Sequence, residues 1–155
     1  MENTQQTILE LLKDYEDVVQ KAKDLELIST KSFVGDIIET LVCNVLNADK
    51  CKASQKGYDA TRKSGTKMER IQIKYRSKNK KGDYKITFKN VTKKTIGFDT
   101  LAFCCQTDEG YNIYEIRCEN LPDMKFIKNK KVLFLDSSCL DNNKDNVTKT
   151  EIKRC

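Results

Sequence analysis

The spacing of apolar residues changes its period near residue 50, and this change limits the folds open to the chain. Residues 5–27 and 33–47 carry apolar side chains three and four positions apart, which predicts two amphipathic helices, the second beginning after Ser32 as its N-cap. Downstream, the apolar residues alternate or form short runs, as they do in β-strands. The order predicts an α+β domain in which two N-terminal helices precede a mixed sheet. The apolar stripe of the second helix is expected to consist of Phe33, Ile37, Leu41 and Val45, widened by Ile38, Val42 and Leu46.

Turn signals and alternation predict the strands in the middle of the chain. Residues 68–76 alternate in polarity and follow the Gly-containing turn 63–67, which indicates a β-hairpin. Residues 98–106 are largely apolar and predict a central strand, and residues 111–118 predict its antiparallel partner. These segments supply the predicted sheet with a hairpin and a buried central strand.

Three other segments have weaker patterns. Residues 84–91 fit a strand or a helix, and residues 131–138 fit a last strand or the entry to a helix. The segment 141–155 is polar and rich in Asn and Lys. We expect it to be poorly ordered or packed only at the periphery.

The length and the N-terminus bound the overall class of protein. A chain of 155 residues without a linker or an internal repeat is typical of one domain, residues 1–155. No apolar run approaches the ~20 residues that a membrane-spanning helix needs. The N-terminus is acidic and amphipathic, unlike a signal peptide. We therefore expect a single cytoplasmic domain that has no membrane partner.

The absence of histidine narrows the chemistry open to this chain. It excludes His-based triads, His general bases and His-ligated metals. The odd number of cysteines and the lack of a CxxC pair argue against a disulfide framework and a zinc site. Any reaction must therefore use carboxylates, lysines, hydroxyls or thiols. The seven cysteines are expected to be free, mostly buried thiols, and they are Cys43, Cys51, Cys104, Cys105, Cys118, Cys139 and Cys155.

Three polar residues of the predicted hairpin can converge on one site. Asp59 lies before the turn, while Gln72 and Lys74 follow it and share one face of their strand; Ile71 and Ile73 point to the core. The Asp59 carboxylate, the Gln72 amide oxygen and the Ile73 backbone carbonyl are oxygen ligands of the kind that Mg²⁺ prefers. Lys74 would orient a water or stabilise charge on a phosphate. The same spacing also fits a half-exposed hairpin with solvated polar side chains.

The order of these residues resembles that of the PD-(D/E)xK nuclease superfamily, which has the restriction-endonuclease-like fold. The resemblance lies in a helix that carries Asp36 and Glu39, then GYDA at 57–60, then IQIKYR at 71–76. It covers about residues 33–117 of the chain. It implies an α/β/α core in which helices flank a mixed central sheet.

The resemblance also implies a catalytic site and a metal. Asp59, Gln72 and Lys74 would occupy the motif positions, and either Asp36 or Glu39 would be the helix acid that completes the site. The implied cofactor is Mg²⁺, with Mn²⁺ as a substitute. The implied activity is the hydrolysis of DNA phosphodiester bonds by an endonuclease of the restriction or phage-defence type. Because cleavage of both strands by so small a chain needs two copies, we expect a homodimer.

Gln72 departs from the superfamily pattern, which has an acid at this position, and the chain here resembles the QxK variant of that pattern. A neutral amide attracts Mg²⁺ less strongly than a carboxylate does. Two alternatives therefore stay open. One is a catalytically weak or inactive nuclease-fold protein that binds nucleic acid or a partner protein. The other is an interaction protein whose N-terminal helix dimerises and whose basic hairpin is a solvated surface without a binding role.

Basic residues are concentrated around the hairpin. Between residues 59 and 81 there are nine basic and two acidic side chains, while the whole chain has a net charge of +6. Such a patch suits a phosphate backbone and predicts salt-sensitive binding, although most charge runs are simply solvated. The residues predicted to contact nucleic acid are Arg62, Lys63, Lys67, Arg70, Arg76 and Lys78.

Overall fold

A computed structural model gives the fold of this chain. It describes residues 14, 17–28, 33–52, 57–77, 80–88, 97–122, 125–127, 130–136, 140 and 145–153. Within these ranges, residues 17–24 are helical and are called α1, and α2 spans Phe33–Leu46. The described strands are β1 (Asp49–Lys50), β2 (Ala60–Ser64), β3 (Lys67–Arg76), β4 (Asp83–Phe88), β5 (Thr100–Gln106), β6 (Gly110–Arg117), β7 (Lys125–Ile127), β8 (Lys130–Asp136) and β9 (Val147–Lys153).

The strands form a six-stranded and a three-stranded sheet. The larger sheet has the order β1-β2-β3-β5-β6-β9, and the smaller has the order β4-β8-β7. β3 and β5 pair in parallel, while the other described pairs are antiparallel. The larger sheet is therefore mixed, and the predicted α+β class with a mixed sheet is confirmed.

The two faces of the six-stranded sheet pack against different layers. On one face, Ile38 and Val42 of α2 pack against Ile71, Ile73 and other apolar side chains of the sheet. The opposite face packs against the three-stranded sheet. Within the described residues, a helix therefore covers one face and strands cover the other, where the resemblance implies helices on both. β5 lies at the centre, as predicted, because its side chains alternate between two apolar cores.

The predicted second helix is confirmed, but its buried face differs from the expectation. The buried apolar side chains of α2 are Ile38, Val42, Cys43 and Leu46. The row expected to form the centre of the stripe, of which Ile37 is a member, is only half-buried. The helix thus contacts the sheet along the row that was predicted only to widen the stripe. Both rows are apolar, so periodicity alone does not distinguish them.

The N-terminal helix predicted over 5–27 lies partly outside the described residues. The helical segment 17–24 agrees with it. Ala22 is buried, whereas Val18 and Leu25, which belong to the predicted apolar stripe, are exposed. None of the helices within the described ranges has the length and apolarity that a bilayer crossing requires.

The predicted hairpin is formed by β2 and β3. Ser64 pairs with Lys67, so Gly65 and Thr66 make a two-residue turn. Gly65 has a φ of +62°, which glycine adopts at little cost. The strand predicted over 98–106 is β5, and its predicted antiparallel partner is β6.

The weaker segments also form strands. Of the two ambiguous stretches, the first contains most of β4 and the second most of β8. Val147–Lys153 forms β9, which pairs antiparallel with β6 at the edge of the larger sheet. A poorly ordered tail was therefore the wrong expectation for this segment, although its position is peripheral. Val147, Thr150 and Ile152 are half-buried among exposed residues, which is enough apolar surface for an edge strand.

The described cysteines are free, as predicted. Cys43, Cys104 and Cys105 are buried, and Cys51 and Cys118 are half-buried. Burial raises the pKa of the Cys43 thiol to about 11 and that of Cys104 to about 12, so both thiols stay protonated at neutral pH. Cys139 and Cys155 lie outside the described residues.

Candidate active site

Asp59 is fixed at the entry to β2 by its own backbone. Its N–H donates to the Ile71 carbonyl at 2.9 Å, and its carbonyl accepts from the N–H of Cys51 at 2.9 Å. The residue is thus held between β3 on one side and the segment after β1 on the other. Because β2 begins only at Ala60, β3 extends past the end of its neighbour at this point.

The Asp59 carboxylate takes the place that a strand neighbour would occupy. Its Oδ2 accepts a hydrogen bond from the backbone N–H of Ile73 at 2.7 Å and a second one from Nε2 of Gln72. Without Asp59, the Ile73 N–H would face a gap beside β3, and a buried backbone donor needs a partner. The structure therefore brings Asp59 and Gln72 into direct contact.

The carbonyl of Ile73 belongs to the same group of atoms. In a strand, the N–H and C=O of one residue point in the same direction, so this carbonyl faces the Asp59 side of β3. Nε2 of Gln72 lies 3.5 Å from it. The Gln72 side chain is only 8% exposed. A carboxylate, a side-chain amide and a backbone carbonyl thus meet in a nearly buried position.

Lys74 supplies the main positive charge near Asp59. Burial raises the pKa of Asp59 above its ordinary value, because the charged form loses water. The attraction of Lys74, followed by the hydrogen bonds from Ile73 and Gln72, opposes this rise. The cationic side chain is therefore close enough to Asp59 to influence its charge.

Glu39 is the helix acid that is coupled to this group. Its pKa is raised by burial and then by repulsion from Asp59, while Lys50 opposes the rise. Glu39 and Lys74 also line one cavity of about 310 Å³ between α2 and β3, together with Ile73. Glu39 and Lys74 consequently line one small cleft, and Asp59, whose charge acts on Glu39, is not among its lining residues.

Asp36 occupies a different position on α2. It is only 4% exposed, and its backbone carbonyl accepts hydrogen bonds from Thr40 Oγ1 and from Lys50 Nζ. Its charge has the smallest of the effects that raise the pKa of Glu39, and it is not among the charges that shift Asp59. Of the two helix acids that the sequence offered, Glu39 is therefore the one associated with Asp59.

Lys50 is a site residue that the sequence did not indicate. Its Nζ lies 3.5 Å from Oε2 of Glu39 and donates to the Asp36 carbonyl at 3.0 Å and to Thr40 Oγ1 at 3.3 Å. It also acts on the pKa of Asp59. Because β1 is only two residues long, no periodic pattern marks this lysine.

Two of the predicted DNA-binding arginines have carboxylate partners within the chain. Arg62 pairs with Glu69 at 2.9 Å and with Glu115 at 2.8 Å. Arg70 pairs with Asp99 at 2.9 Å, and its backbone N–H also donates to that carboxylate. These guanidinium groups hold β3 to its neighbours. Their residue type and spacing gave no sign of this role, because the partners lie on other strands or loops.

The remaining predicted contacts fall into three groups. Arg76 donates to the backbone carbonyls of Lys85 and Tyr75, so it ties β4 to the end of β3. Lys63 and Lys67 are exposed at the tip of the hairpin. Lys78 lies outside the described residues. The exposed positive charge of the hairpin is therefore concentrated at its tip.

The donor atoms near Asp59 suit a hard cation. Within the described part of the chain, no three side chains of His, Cys, Asp or Glu are grouped so that they could hold a metal ion. The set that the sequence predicted has a different composition, because it combines carboxylates with an amide oxygen and a backbone carbonyl. All of these are oxygen ligands, which Mg²⁺ and Mn²⁺ accept.

Comparisons with known proteins leave the family open. No protein-family model matches the chain, and a search of curated proteins finds no similar protein. The resemblance to the PD-(D/E)xK superfamily therefore stays a prediction, which rests on the motif residues and on the way they are arranged.

Proposed function

We propose that this chain is a Mg²⁺-dependent endonuclease with a restriction-endonuclease-like core that hydrolyses DNA phosphodiester bonds in restriction or phage defence. The observation that carries the proposal is the contact of Asp59 with Gln72 and with the backbone of Ile73. Lys74 follows on the same strand, and Glu39 faces this group from α2. In the superfamily that the motif resembles, these positions hold the metal and the catalytic lysine.

The residues present fit a divalent cation. Asp59, Glu39, the Ile73 carbonyl and the Gln72 amide oxygen would hold it. Burial raises the pKa values of both Asp59 and Glu39, and the charge of Asp59 raises that of Glu39 further, so a cation would relieve this repulsion. Gln72 turns its Nε2 toward Asp59, and a half-turn of the amide exchanges Nε2 for the oxygen. When bound, the ion supplies Lewis-acid stabilisation of the phosphate and acidifies a bound water.

Lys74 contributes charge to the same cleft. Lys74 lines a cavity of about 310 Å³ together with Glu39, and its positive charge would stabilise negative charge on a phosphate and orient a water molecule. Such charges act most strongly where water is largely excluded. Lys74 is thus the residue whose loss should affect the reaction most specifically.

The exposed lysines suit the phosphate backbone of DNA. Lys63 and Lys67 extend into solvent at the hairpin tip, and Lys80 and Lys81 are exposed in the segment after β3. Backbone contacts of this kind give affinity without sequence preference. Cleavage of both strands would use two copies of the chain, in keeping with the expected homodimer.

Plasmid cleavage tests the proposal directly. Purified protein is incubated with supercoiled plasmid in Mg²⁺, in Mn²⁺ and in EDTA, beside Lys74→Ala and the control Lys153→Ala, which removes an exposed lysine from β9. We expect cleavage that requires the metal, that Lys74→Ala abolishes and that Lys153→Ala retains. Cleavage that persists in Lys74→Ala would overturn the proposed role of Lys74.

A binding protein without catalysis is the second candidate. It is favoured by the hydrogen bond from Gln72 to Asp59, because this bond gives the carboxylate a partner in the absence of a cation. Salt-sensitive retardation of DNA without any cleavage, unchanged in Lys74→Ala, would support this candidate and contradict the endonuclease. Gln72→Glu, which restores the acid of the superfamily pattern, then tests whether the amide is the reason for the missing cleavage.

A further inference from the structure

Lys50 contacts three oxygens of α2, and one of them belongs to Glu39, the helix acid of the candidate site. Its ammonium group lies 3.0 Å from the Asp36 carbonyl oxygen, 3.3 Å from Thr40 Oγ1 and 3.5 Å from Oε2 of Glu39. The two shorter contacts are to neutral oxygens of α2. The longest is to the charged one. Lys50 could therefore release Glu39 and still keep two hydrogen bonds.

We propose that Lys50 is a resident counter-ion of this site, which neutralises Glu39 when no divalent cation is bound and yields it when one binds. The proposal rests on the cation site of the proposed function. The charge of Asp59 repels that of Glu39, which is partly buried, so a nearby cation is favoured. The ammonium of Lys50 fills that role from β1, on the opposite side of β2 from β3.

This arrangement places a lysine and a metal ion in competition for one carboxylate. Lys50 is thereby a positioning residue, because it acts through Glu39. A fixed positive charge a few ångströms from a bound cation weakens that cation's binding, by about tenfold for a separation and screening typical of a protein surface. Removing the charge should consequently strengthen metal binding, although it removes a contact within the protein.

The test measures Mn²⁺ binding to the full chain by isothermal titration calorimetry, with no DNA present. We expect Lys50→Met to bind Mn²⁺ about tenfold more tightly than the wild type. Lys50→Arg, which keeps the charge, should remain close to the wild type. The control Lys153→Met removes an equal charge from β9, about 24 Å away across the sheet, and should change nothing. An unchanged or weaker affinity in folded Lys50→Met overturns the proposal.

A second variant gives a test that leaves Lys50 in place. Thr40→Val removes one of the two neutral acceptors, so the ammonium depends more on Glu39 and Mn²⁺ should bind about threefold more weakly. If Lys50→Met does not fold, as judged by circular dichroism, Thr40→Val decides the question. An Mn²⁺ affinity of Thr40→Val equal to that of the wild type overturns the proposal.

Asp59→Asn separates this inference from the proposed function. If wild type and Asp59→Asn bind Mn²⁺ equally or not at all, and Lys50→Met gains no affinity, the metal site itself is wrong and both proposals fall. If Asp59→Asn loses Mn²⁺ binding while Lys50→Met binds Mn²⁺ with the affinity of the wild type, the metal site stands and only the role of Lys50 is overturned.

Discussion

Two short segments enter the six-stranded sheet on either side of β3 with the same backbone pattern. Residues 57–60 read Gly-Tyr-Asp-Ala and residues 97–100 read Gly-Phe-Asp-Thr. In each, the aspartate N–H donates to a β3 carbonyl, its own carbonyl accepts from a cysteine N–H, and its Oδ2 accepts from a β3 N–H. Asp59 and Asp99 therefore share this set of backbone bonds. Those from Asp59 to β3 go to two residues, Ile71 and Ile73, whereas those from Asp99 to β3 go to Arg70 alone.

The surroundings give the two carboxylates opposite electrostatic properties. Asp99 is 44% exposed, and the hydrogen bonds from Arg70 lower its pKa below the ordinary range. Burial raises the pKa of Asp59 despite Lys74, and a second acid, Glu39, lies nearby. Binding a β3 amide is thus the structural task that both aspartates perform. The burial of Asp59 near a second acid has no counterpart at Asp99, and such shifted groups are frequent at functional sites.

The largest expected difference between the two aspartates is in DNA cleavage. Asp59→Asn should reduce the rate of plasmid cleavage in Mg²⁺ by at least about a hundredfold, because it removes a proposed metal ligand. Asp99→Asn should stay within about threefold of the wild type. Equal losses in both variants would mean that Asp59, like Asp99, only supports the fold.

The glycines that precede the aspartates should differ in stability. Gly57 has a φ of +94°, so Gly57→Ala should lower the free energy of unfolding by about 1–2 kcal/mol through backbone strain. A Cβ atom added at Gly97 would instead lie 3.3 Å from the Gly57 Cα. This crowding costs less stability than the strain at Gly57 if the backbone shifts by a few tenths of an ångström. Urea unfolding of Gly57→Ala and Gly97→Ala measures both. A larger loss at Gly97 would show that crowding outweighs strain.

The pH dependence of stability should have opposite signs at the two positions. The raised pKa of Asp59 means that the folded chain binds its proton more tightly than the unfolded chain does, so ionised Asp59 costs stability at pH 7. Asp59→Asn should therefore unfold at higher urea than the wild type at pH 7, and this gain should shrink as the pH falls below the raised pKa.

Asp99→Asn is the matched variant for this measurement. Because the pKa of Asp99 is lowered in the folded chain, ionised Asp99 stabilises the fold at pH values above its ordinary pKa. This stability is lost as the pH falls through the folded pKa. Asp99→Asn should accordingly be destabilised at pH 7 and approach the wild type in acid. The same sign for both variants would contradict the comparison.

The smallest expected effect concerns DNA affinity. Lys63 is exposed at the hairpin tip. Lys63→Ala should therefore reduce the slope of log affinity against log salt concentration by about 0.9, the change expected for the loss of one phosphate contact. Arg70 was also predicted to contact DNA, but its guanidinium is bound to Asp99. Arg70→Ala should leave the slope unchanged in gel-shift titrations at several salt concentrations. A reduced slope in Arg70→Ala would show that DNA displaces Asp99.

Local periodicity predicted most of the elements but not their partners. The change of period near residue 50, the turn at Gly65 and the apolar run of β5 are contained in short stretches of sequence, and each gave the right element. The strand β9 was missed because its three half-buried side chains stand among polar ones. The row of α2 that is buried depends on where the helix lies on the sheet, which no single segment specifies.

The candidate site was accessible from sequence only where its residues lie close together along the chain. Asp59, Gln72 and Lys74 belong to one hairpin, so their spacing indicated that they could converge. The ion pair of Arg70 with Asp99 joins residues 29 positions apart, and no local pattern reveals it. Lys50 sits in a two-residue strand without periodicity, and its role follows only from the distance to Glu39.

The parallel pairing of β3 with β5 has a consequence for the order in which the chain folds. The residues around Asp59 lie on one continuous stretch from α2 to β3, joined by short connections, whereas β3 meets β5 only after the chain has passed through β4. Closing a longer loop costs more entropy, and such non-local pairings form slowly. We expect the α2–β3 segment to collapse first and the docking of β5 to limit the folding rate, so Asp59, Gln72 and Glu39 come together before most of the sheet that supports them.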